Sequence, residues 1–517
     1  LHEEVLLLTA ALRRLGVDRG DRVALHLGWV PEAVVAMLAC ARLGAEFTVV
    51  PVSLPVEALS LRLADFGPRV LFTQDGGWRH GTILPLKNRA DEAIEATSGI
   101  QHTVVVRRTG MQVEWFEGDR WYDELQAAAD PSEGHPTPVP SQHPLVSVHL
   151  ANHRGRPVAV RLGTANLAAV ALANHRFVMA EGDVFWGAAD VSWLGAQSHG
   201  IVGPLLAGCS AVMYEGTLDV PAPERAWQIV ERYGVTSLLT SPSIVRALRG
   251  WSLTAPAGTT SLRRVMTIGD RLEPDLREWL AGVLDDRVTL ADGWGQIELG
   301  GIVVCDAPID RARMPDPGFA ILAPDGSPVS DGQAGEWVML RPWAGMMRGV
   351  DTPGADPTAY HWERHPGSYA TGDLARRTPT GEVEFLGRLD TVITVSGQLV
   401  SLNEVRDVLL DQPFVVDADA FESTESRLGR VVGAAVVLEE GLTGDPTVLR
   451  ELQDAVRELL GGLSRPRTIL VLDRIGYELD TPVRHRVLSG VATAADTESV
   501  TLTWDQVLAA APGGGDR

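Results

Sequence analysis

Short apolar runs alternate with longer amphipathic stretches, and this alternation most restricts how the chain can fold. Arg22–Leu27 reads as a short buried strand after the turn residues Asp18–Asp21, and Pro31–Leu43 follows as an apolar helix with proline near its start. Val70–Thr73 and His102–Val106 are further strand-like runs. The pattern predicts α/β layering around a largely parallel sheet. A chain of 517 residues exceeds one ordinary core, so two or more domains are expected.

A polar, proline-rich stretch, Pro131–Pro144, reads as a loop or linker. Leu145–His149 and Val158–Leu162 read as strands on either side of a basic turn. The α/β pattern resumes from Asp183 to Ser252, with a strand at Cys209–Tyr214 and a helix at Pro223–Tyr233. Residues 316–390 are dense in Gly, Pro and Asp and carry β-like runs at Glu336–Leu340 and Val383–Leu386. Composition shifts after Asp390, where Val392–Val395 and Val431–Leu438 read as strands and Leu402–Asp411 and Pro446–Leu460 as helices. The expected organisation is a large multi-layer α/β domain over residues 1–389 and a small α+β domain over 390–517.

A net charge of −22 argues against non-specific nucleic-acid binding and against anionic membrane surfaces. Local arginines can still clamp a small anion. Cys40, Cys209 and Cys305 lie far apart, with neither metal-ligand spacing nor a disulfide framework, so a reducing cytoplasm is expected. No apolar run reaches the length of a membrane span, and no signal peptide is seen. The chain opens at Leu1 in helical sequence, and its native start is expected upstream. Lys87 is the single lysine; the other basic residues are arginines.

Several motifs occur in a specific order: Met37–Ala45 (MLACARLGA), Leu84–Lys87 (LPLK), Ala189–Trp193 (ADVSW), Gly203–Gly208 (GPLLAG) and Tyr214–Gly216 (YEG). Gly293–Gly301 (GWGQIELGG), Thr371–Asp373 (TGD) and Gly387–Asp390 (GRLD) complete the series. Together they resemble the adenylate-forming superfamily, and within it acetyl-CoA synthetase. The resemblance implies a large N-terminal domain and a small mobile C-terminal domain. It implies a ligase that makes an acyl-adenylate from a carboxylic acid and ATP with Mg2+, then passes the acyl group to coenzyme A. By the same resemblance Asp373 holds the ribose hydroxyls, Arg388 reaches the nucleotide and Asp390 is the hinge. Gly269, Asp270, Trp294 and Gln296 fall beside the nucleotide and acyl group, and Glu298 matches the magnesium-side carboxylate. Arg79, Ser396 and Gly397 match positions facing coenzyme A.

The chain departs from that pattern where ATP's phosphates are handled. The phosphate loop aligns with Leu150–Ala159, which lacks the hydroxyl residues; Arg156 stands for the first lysine and Val158 for the second. Ile297 replaces a threonine, Leu399 an arginine, and Pro482 the adenylation lysine. Proline offers neither charge nor backbone donor. One lost donor to a charged transition state costs roughly 10²–10³ in rate; because such losses are not additive, ~10⁴ is a cautious floor for several.

The acyl pocket, expected from Leu194, Gly195, Ile268 and Gly295, also differs. Gly295 stands for a pocket-closing tryptophan and Gly195 for a wall threonine, which predicts a larger cavity unless Trp193, Leu194 or Ile297 fills it. Three readings remain open on sequence. One is an acyl-CoA ligase homologue with impaired adenylation. Another is a non-catalytic acyl-CoA- or nucleotide-binding scaffold, with a possible protein partner. The last is an ATP-independent enzyme acting on acyl thioesters, with His153, His199 or Glu298 as acid–base groups.

Overall fold

The structure, a computed structural model, describes residues 1–510 except 96, 151–157, 179–181, 252–258, 270–271, 273, 285–286, 306–317, 351–360, 380, 390–391, 397, 426, 440, 443, 477–480 and 496. It has the mixed α/β architecture expected from the sequence. Contacts divide the chain into two compact units. One comprises Leu1–His149, Ala159–Asp316 and Pro342–Thr358; the other Leu150–Val158, Pro317–Arg341 and Ala359–Arg517. The sequence boundary at 389/390 therefore differs from the contact division, which groups Pro317–Arg341 and residues 359–389 with the C-terminal residues. Asp390 itself lies outside the described residues.

The first unit holds two large sheets and a two-stranded ribbon, Gly77–Arg79 with Thr82–Leu84. In the eight-stranded sheet, Arg22–Leu25 lies between Glu46–Val49 and Val70–Gln74, all parallel, with His102–Val106 and Asp119–Trp121 continuing outward. Glu46–Val49 and Val70–Gln74 are buried at every position. Val70–Phe72 reads as a continuous apolar run, as a strand covered on both faces does, while Glu46 and Thr48 are polar residues buried in the alternating segment Glu46–Val49. Helix Pro31–Leu43 starts on proline and ends at Gly44, whose φ of 73° supplies the left-handed cap.

The second sheet of this unit runs Ser210–Val212, Val184–Gly187, Ser237–Thr240, Arg264–Ile268, Thr289–Gln296, Gly301–Cys305. Only the last pair is antiparallel, and its register shifts between Trp294 and Gly295. Helices Arg225–Tyr233, Pro242–Trp251 and Pro274–Val283 bury Trp227, Val230, Val245, Leu248, Leu276 and Leu280 in the core beside it. No helix among the described residues is long and apolar enough to cross a membrane.

In the second unit, Phe319–Leu322, Ala334–Met339, Tyr369–Arg377 and Val383–Arg388 form an antiparallel sheet. A hairpin, Val392–Val395 with Gln398–Ser401, follows. The last sheet runs Val415–Glu425, Gly429–Leu438, Thr468–Leu472, Ser499–Leu502. Helices Leu402–Leu410 and Pro446–Leu460 bury Val405, Leu409, Leu452 and Val456 in one core. Asp445 caps the longer helix by accepting from the Thr447 and Val448 amides at 2.8 and 3.2 Å.

Candidate functional site

In the first unit the candidate residues gather at the ends of neighbouring strands. Ile268 ends the strand Arg264–Ile268 and pairs in register with Gly293, one residue before Trp294. Gly269 follows with φ of 98°, a conformation that favours glycine; Asp270 lies outside the described residues. Trp294, Gly295 and Gln296 close the strand Thr289–Gln296, and Ile297–Leu299 is a single 3-10 turn that leaves Glu298 half-buried. The Glu298 carbonyl accepts from the Met347 amide at 2.7 Å, which fixes this turn.

Asp292 is a residue the sequence reading missed. Its carboxylate accepts from Thr267 Oγ1 at 2.6 Å and from the Leu272 amide at 3.0 Å. It thereby clamps the Gly269 loop against the strand that carries Trp294 and Gln296. The only sequence signal is its place directly before the Gly293 motif.

Leu194 and Gly195 open a short helix, Leu194–Gln197, which runs into a π turn at Ser198–Val202. Such turns are frequent at functional sites. His199, in that turn, is 1% exposed. Burial lowers its pKa to about 3, so the ring is neutral. Its Nε2 accepts from the Ile302 amide at 3.3 Å, which leaves the proton on Nδ1. That Nδ1 has no hydrogen-bond partner among the described residues. His153 lies outside them.

The two pocket glycines differ. A Cβ on Gly295 would lie 1.9 Å from the Gly301 carbonyl oxygen and 2.7 Å from Ile302 Cα. The expected opening at 295 is therefore filled by the backbone of the neighbouring strand. A Cβ on Gly195 would lie 3.7 Å from Ile268 Cδ1 and 3.9 Å from His199 Cδ2, ordinary contact distances.

Arg79 ends the strand Gly77–Arg79, which pairs with Thr82–Leu84 across a two-residue turn. His80 and Gly81 in that turn have φ of 47° and 73°, as a tight right-twisted hairpin requires. Below it, Asp75 accepts from the amides of Gly76, Arg108, Thr109 and Gly110 at 2.6–2.9 Å. Burial opposes its charge, but these four donors outweigh it and hold the carboxyl below its usual range. Lys87 is fully buried, its ammonium 2.5 Å from Asp91 and 2.9 Å from Asp119. It is an internal counter-ion in this unit. Val158 begins the strand Val158–Gly163; Arg156 lies outside the described residues.

In the second unit Asp373 and Arg388 are register partners across two strands, with Arg388 Nη1 3.6 Å from Asp373 Oδ1. Asp373 follows Gly372 (φ of 78°), whose amide donates to Glu336 Oε1 at 2.9 Å. Glu336 also accepts from Arg364 at 2.6 Å and His365 Nε2 at 3.1 Å. Thr371 Oγ1 accepts from the Asp373 amide at 3.1 Å and donates to the Trp337 carbonyl. Ser396 is exposed at the hairpin tip with φ of 46°, Leu399 pairs with Thr394, and Gly397 lies outside the described residues. Pro482 is the second residue of helix Thr481–Ala495.

The family described as "AMP-binding enzyme" matches residues 1–350. The chain belongs to this family. Acetyl-coenzyme A synthetase of Streptomyces coelicolor is 32% identical, over 98% of this chain and 80% of that protein. The proteins of the same name from Pyrobaculum arsenaticum and Rubrobacter xylanophilus are 33% and 34% identical, over 95% and 97% of this chain and 76% and 80% of their own lengths.

The groups an AMP-binding enzyme of this kind uses fit unevenly. Asp373 is a carboxylate within a paired strand, chemically suited to accept two ribose hydroxyls. For magnesium, Glu298 offers one carboxylate, while Ile297 beside it offers no oxygen. Among the described residues no group of three or more His, Cys, Asp or Glu could hold a metal. Magnesium bound with a nucleotide needs only one or two carboxylates, so any such ion would depend on the phosphates.

Proposed function

We propose that this chain is an acyl-CoA-ligase-type protein that binds an acyl group, AMP and coenzyme A but adenylates carboxylic acids poorly. The observation that carries the reading is residue 482. It lies in the first turn of helix Thr481–Ala495, where the resemblance puts the adenylation lysine, and it is proline. It offers no ammonium to a developing phosphate charge and no backbone donor. Ile297 and Val158 support the same reading, since each puts an alkyl group where a phosphate donor is expected.

In this reading Asp373 and Arg388 hold the nucleotide, and Gly269, Asp270, Trp294 and Gln296 complete its site. Arg79, Ser396 and Gly397 face coenzyme A, and Arg156 is the remaining cation of the phosphate loop. Glu298 would ligate magnesium if ATP binds, and Asp390 is the hinge. The protein is cytoplasmic and acts on small molecules. ATP–pyrophosphate exchange over a panel of short, branched and aromatic acids tests the proposal. Exchange at least ~10⁴ below a lysine-containing relative is expected, from the loss of several charge-stabilising groups. A family-typical rate overturns it. Pro482→Lys combined with Val158→Lys should raise the exchange rate. Thermal-shift titration tests the binding half: ~100-fold saturation with AMP or coenzyme A should stabilise by about 2.7 kcal/mol. No response to either leaves only a protein-partner role.

A further inference from the structure

A polar cleft of about 300 Å³ lies in the first unit, lined by Asp21, Arg22, Arg69, Gln101 and three glycines. It sits where loops enter the parallel strands Arg22–Leu25, Val70–Gln74 and His102–Val106, at their amino ends. The Arg79 hairpin follows the other end of Val70–Gln74, five residues or about 16 Å away along the strand. The cleft is therefore separate from the residues already described. Within it, Arg69 has unmet bonding capacity. Its guanidinium meets no acceptor among the described residues: the Asp21 carboxylate is 3.6 Å from Nη1, and Nε is enclosed without a partner. Asp21 instead turns onto its own loop, where Oδ2 accepts from the Asp18 amide at 2.8 Å. The guanidinium packs over Gly16, where a Cβ would lie 2.8 Å from Nη2. Arg22, the other cation of the cleft, is fixed: Nη1 donates to the Phe66 carbonyl at 2.8 Å, and the group lies 5.4 Å over the Phe66 ring. Glu46, 3.5 Å from Arg22 Nε, also accepts from Arg161 at 2.6 and 2.8 Å, so one carboxylate answers two cations. The positive field reaches His102, whose ring is held below its ordinary range by burial and by Arg120 and Arg69.

We propose that this cleft binds a compact phosphate-bearing anion, with Arg69 as its main ligand and Arg22 as supporting charge. The inference is independent of the functional reading above and adds a second ligand site to the chain. A guanidinium presents parallel N–H groups that match two oxygens of one phosphate. An arginine held without an acceptor gains more from such a ligand than one already paired. Gln101, exposed in the same cleft, adds an amide donor. The volume is at the lower bound for small-molecule sites, which suits orthophosphate, pyrophosphate or a small phosphate monoester rather than a nucleotide or coenzyme A. Binding there stabilises the folded chain by linkage.

Isothermal titration of the full chain at constant ionic strength tests this with orthophosphate, pyrophosphate and glycerol phosphate, and with acetate as a singly charged control. Each titration is run with and without AMP. The wild type should bind at least one phosphate probe, acetate should bind more weakly, and AMP should not displace the bound probe. Preference for a free anion over glycerol phosphate assigns an inorganic ligand, and the reverse preference an organic monoester. Arg69→Gln should weaken binding by about 10-fold or more, the worth of a hydrogen bond to a charged group. Gln101→Glu, a change at an exposed side chain, should weaken it too by bringing a negative charge to the cleft, and it decides the matter if Arg69→Gln fails to fold. Failure of every phosphate probe to bind overturns the proposal. So does unchanged affinity in the variants, or displacement by AMP, which would put the phosphate in the nucleotide site. None of these outcomes bears on the adenylation reading, which the exchange assay decides.

Discussion

Glu336 accepts the Gly372 amide hydrogen at 2.9 Å through Oε1, one residue before Asp373. The same carboxylate accepts from Arg364 and His365. Glu336 thereby fixes the strand segment that carries Asp373 from its neighbouring strand. Glu336→Ala removes the acceptor of the buried Gly372 amide and one acceptor of the Arg364 guanidinium, and should lower unfolding free energy by about 2–4 kcal/mol. Glu336→Gln, which retains an acceptor for Gly372, should cost less. Urea melts read the stability. AMP titration reads the placement of Asp373, and equal AMP affinity in the alanine variant and wild type would refute the positioning role.

Lys87 neutralises Asp91 and Asp119 in the interior, with the Phe116 ring 5.1 Å from its ammonium. Lys87→Met should destabilise by about 3–5 kcal/mol, because Asp119, 4% exposed, is left buried without its counter-ion. A companion Lys87→Met, Asp119→Leu variant should recover part of the loss. Unchanged melting in the single variant would show that the ion cluster contributes nothing.

Gly295 has no room for a side chain. Gly295→Ala should cost at least about 1–3 kcal/mol, the range for overpacking, since the strand pair must part to admit the methyl. Gly195→Ala should be neutral or slightly stabilising, because alanine is favoured over glycine in a helix by about 1 kcal/mol. Melting temperatures of the two variants measured side by side decide this; equal values would contradict the geometry.

Acid should act in two stages. Burial holds His26 at about 4 and His199 at about 3 in the folded chain. Unfolded histidine titrates near ~6.5. Below that pH the unfolded chain binds more protons than the folded one, so stability starts to fall there. Asp75 and Asp419 are held below their ordinary range: burial opposes their charge, but backbone amides at Asp75, and His485 and Arg484 at Asp419, outweigh it. Their contribution is complete above about pH 4 and is lost as pH drops through their folded values. A thermal melt series should show a gradual decline from about pH 6.5 and a steeper one below about pH 4. His26→Asn should flatten the first stage; an unchanged slope would rule out that assignment.

Much of this was legible in the residues. Pro31–Leu43, His102–Val106, Val392–Val395 and Pro446–Leu460 are elements at the bounds the sequence suggested, because the two helices start on proline and the two strands are runs rich in β-branched residues. The motif around Gly293 located the candidate site. Its volume was not legible. Gly295 reads as missing bulk, yet the register shift at Trp294/Gly295 brings the Gly301 backbone into that space. Strand register depends on partners distant in sequence, so a glycine alone does not say whether ligand or backbone occupies its void. Asp292 and Glu336 escaped notice for the same reason: their roles lie in the amides they meet, and an isolated acidic residue shows none of that.

Lys87 also offers a way to watch the chain open. Amine-directed reagents act on the deprotonated, solvent-reached ε-nitrogen, and here the one such nitrogen is fully enclosed while the protein is folded. Side-chain amine labelling should therefore be silent in the native state and proceed only when the Lys87 region opens. A single mass increment on one tryptic fragment would then report the frequency of that opening, with no engineered probe and no background from other lysines.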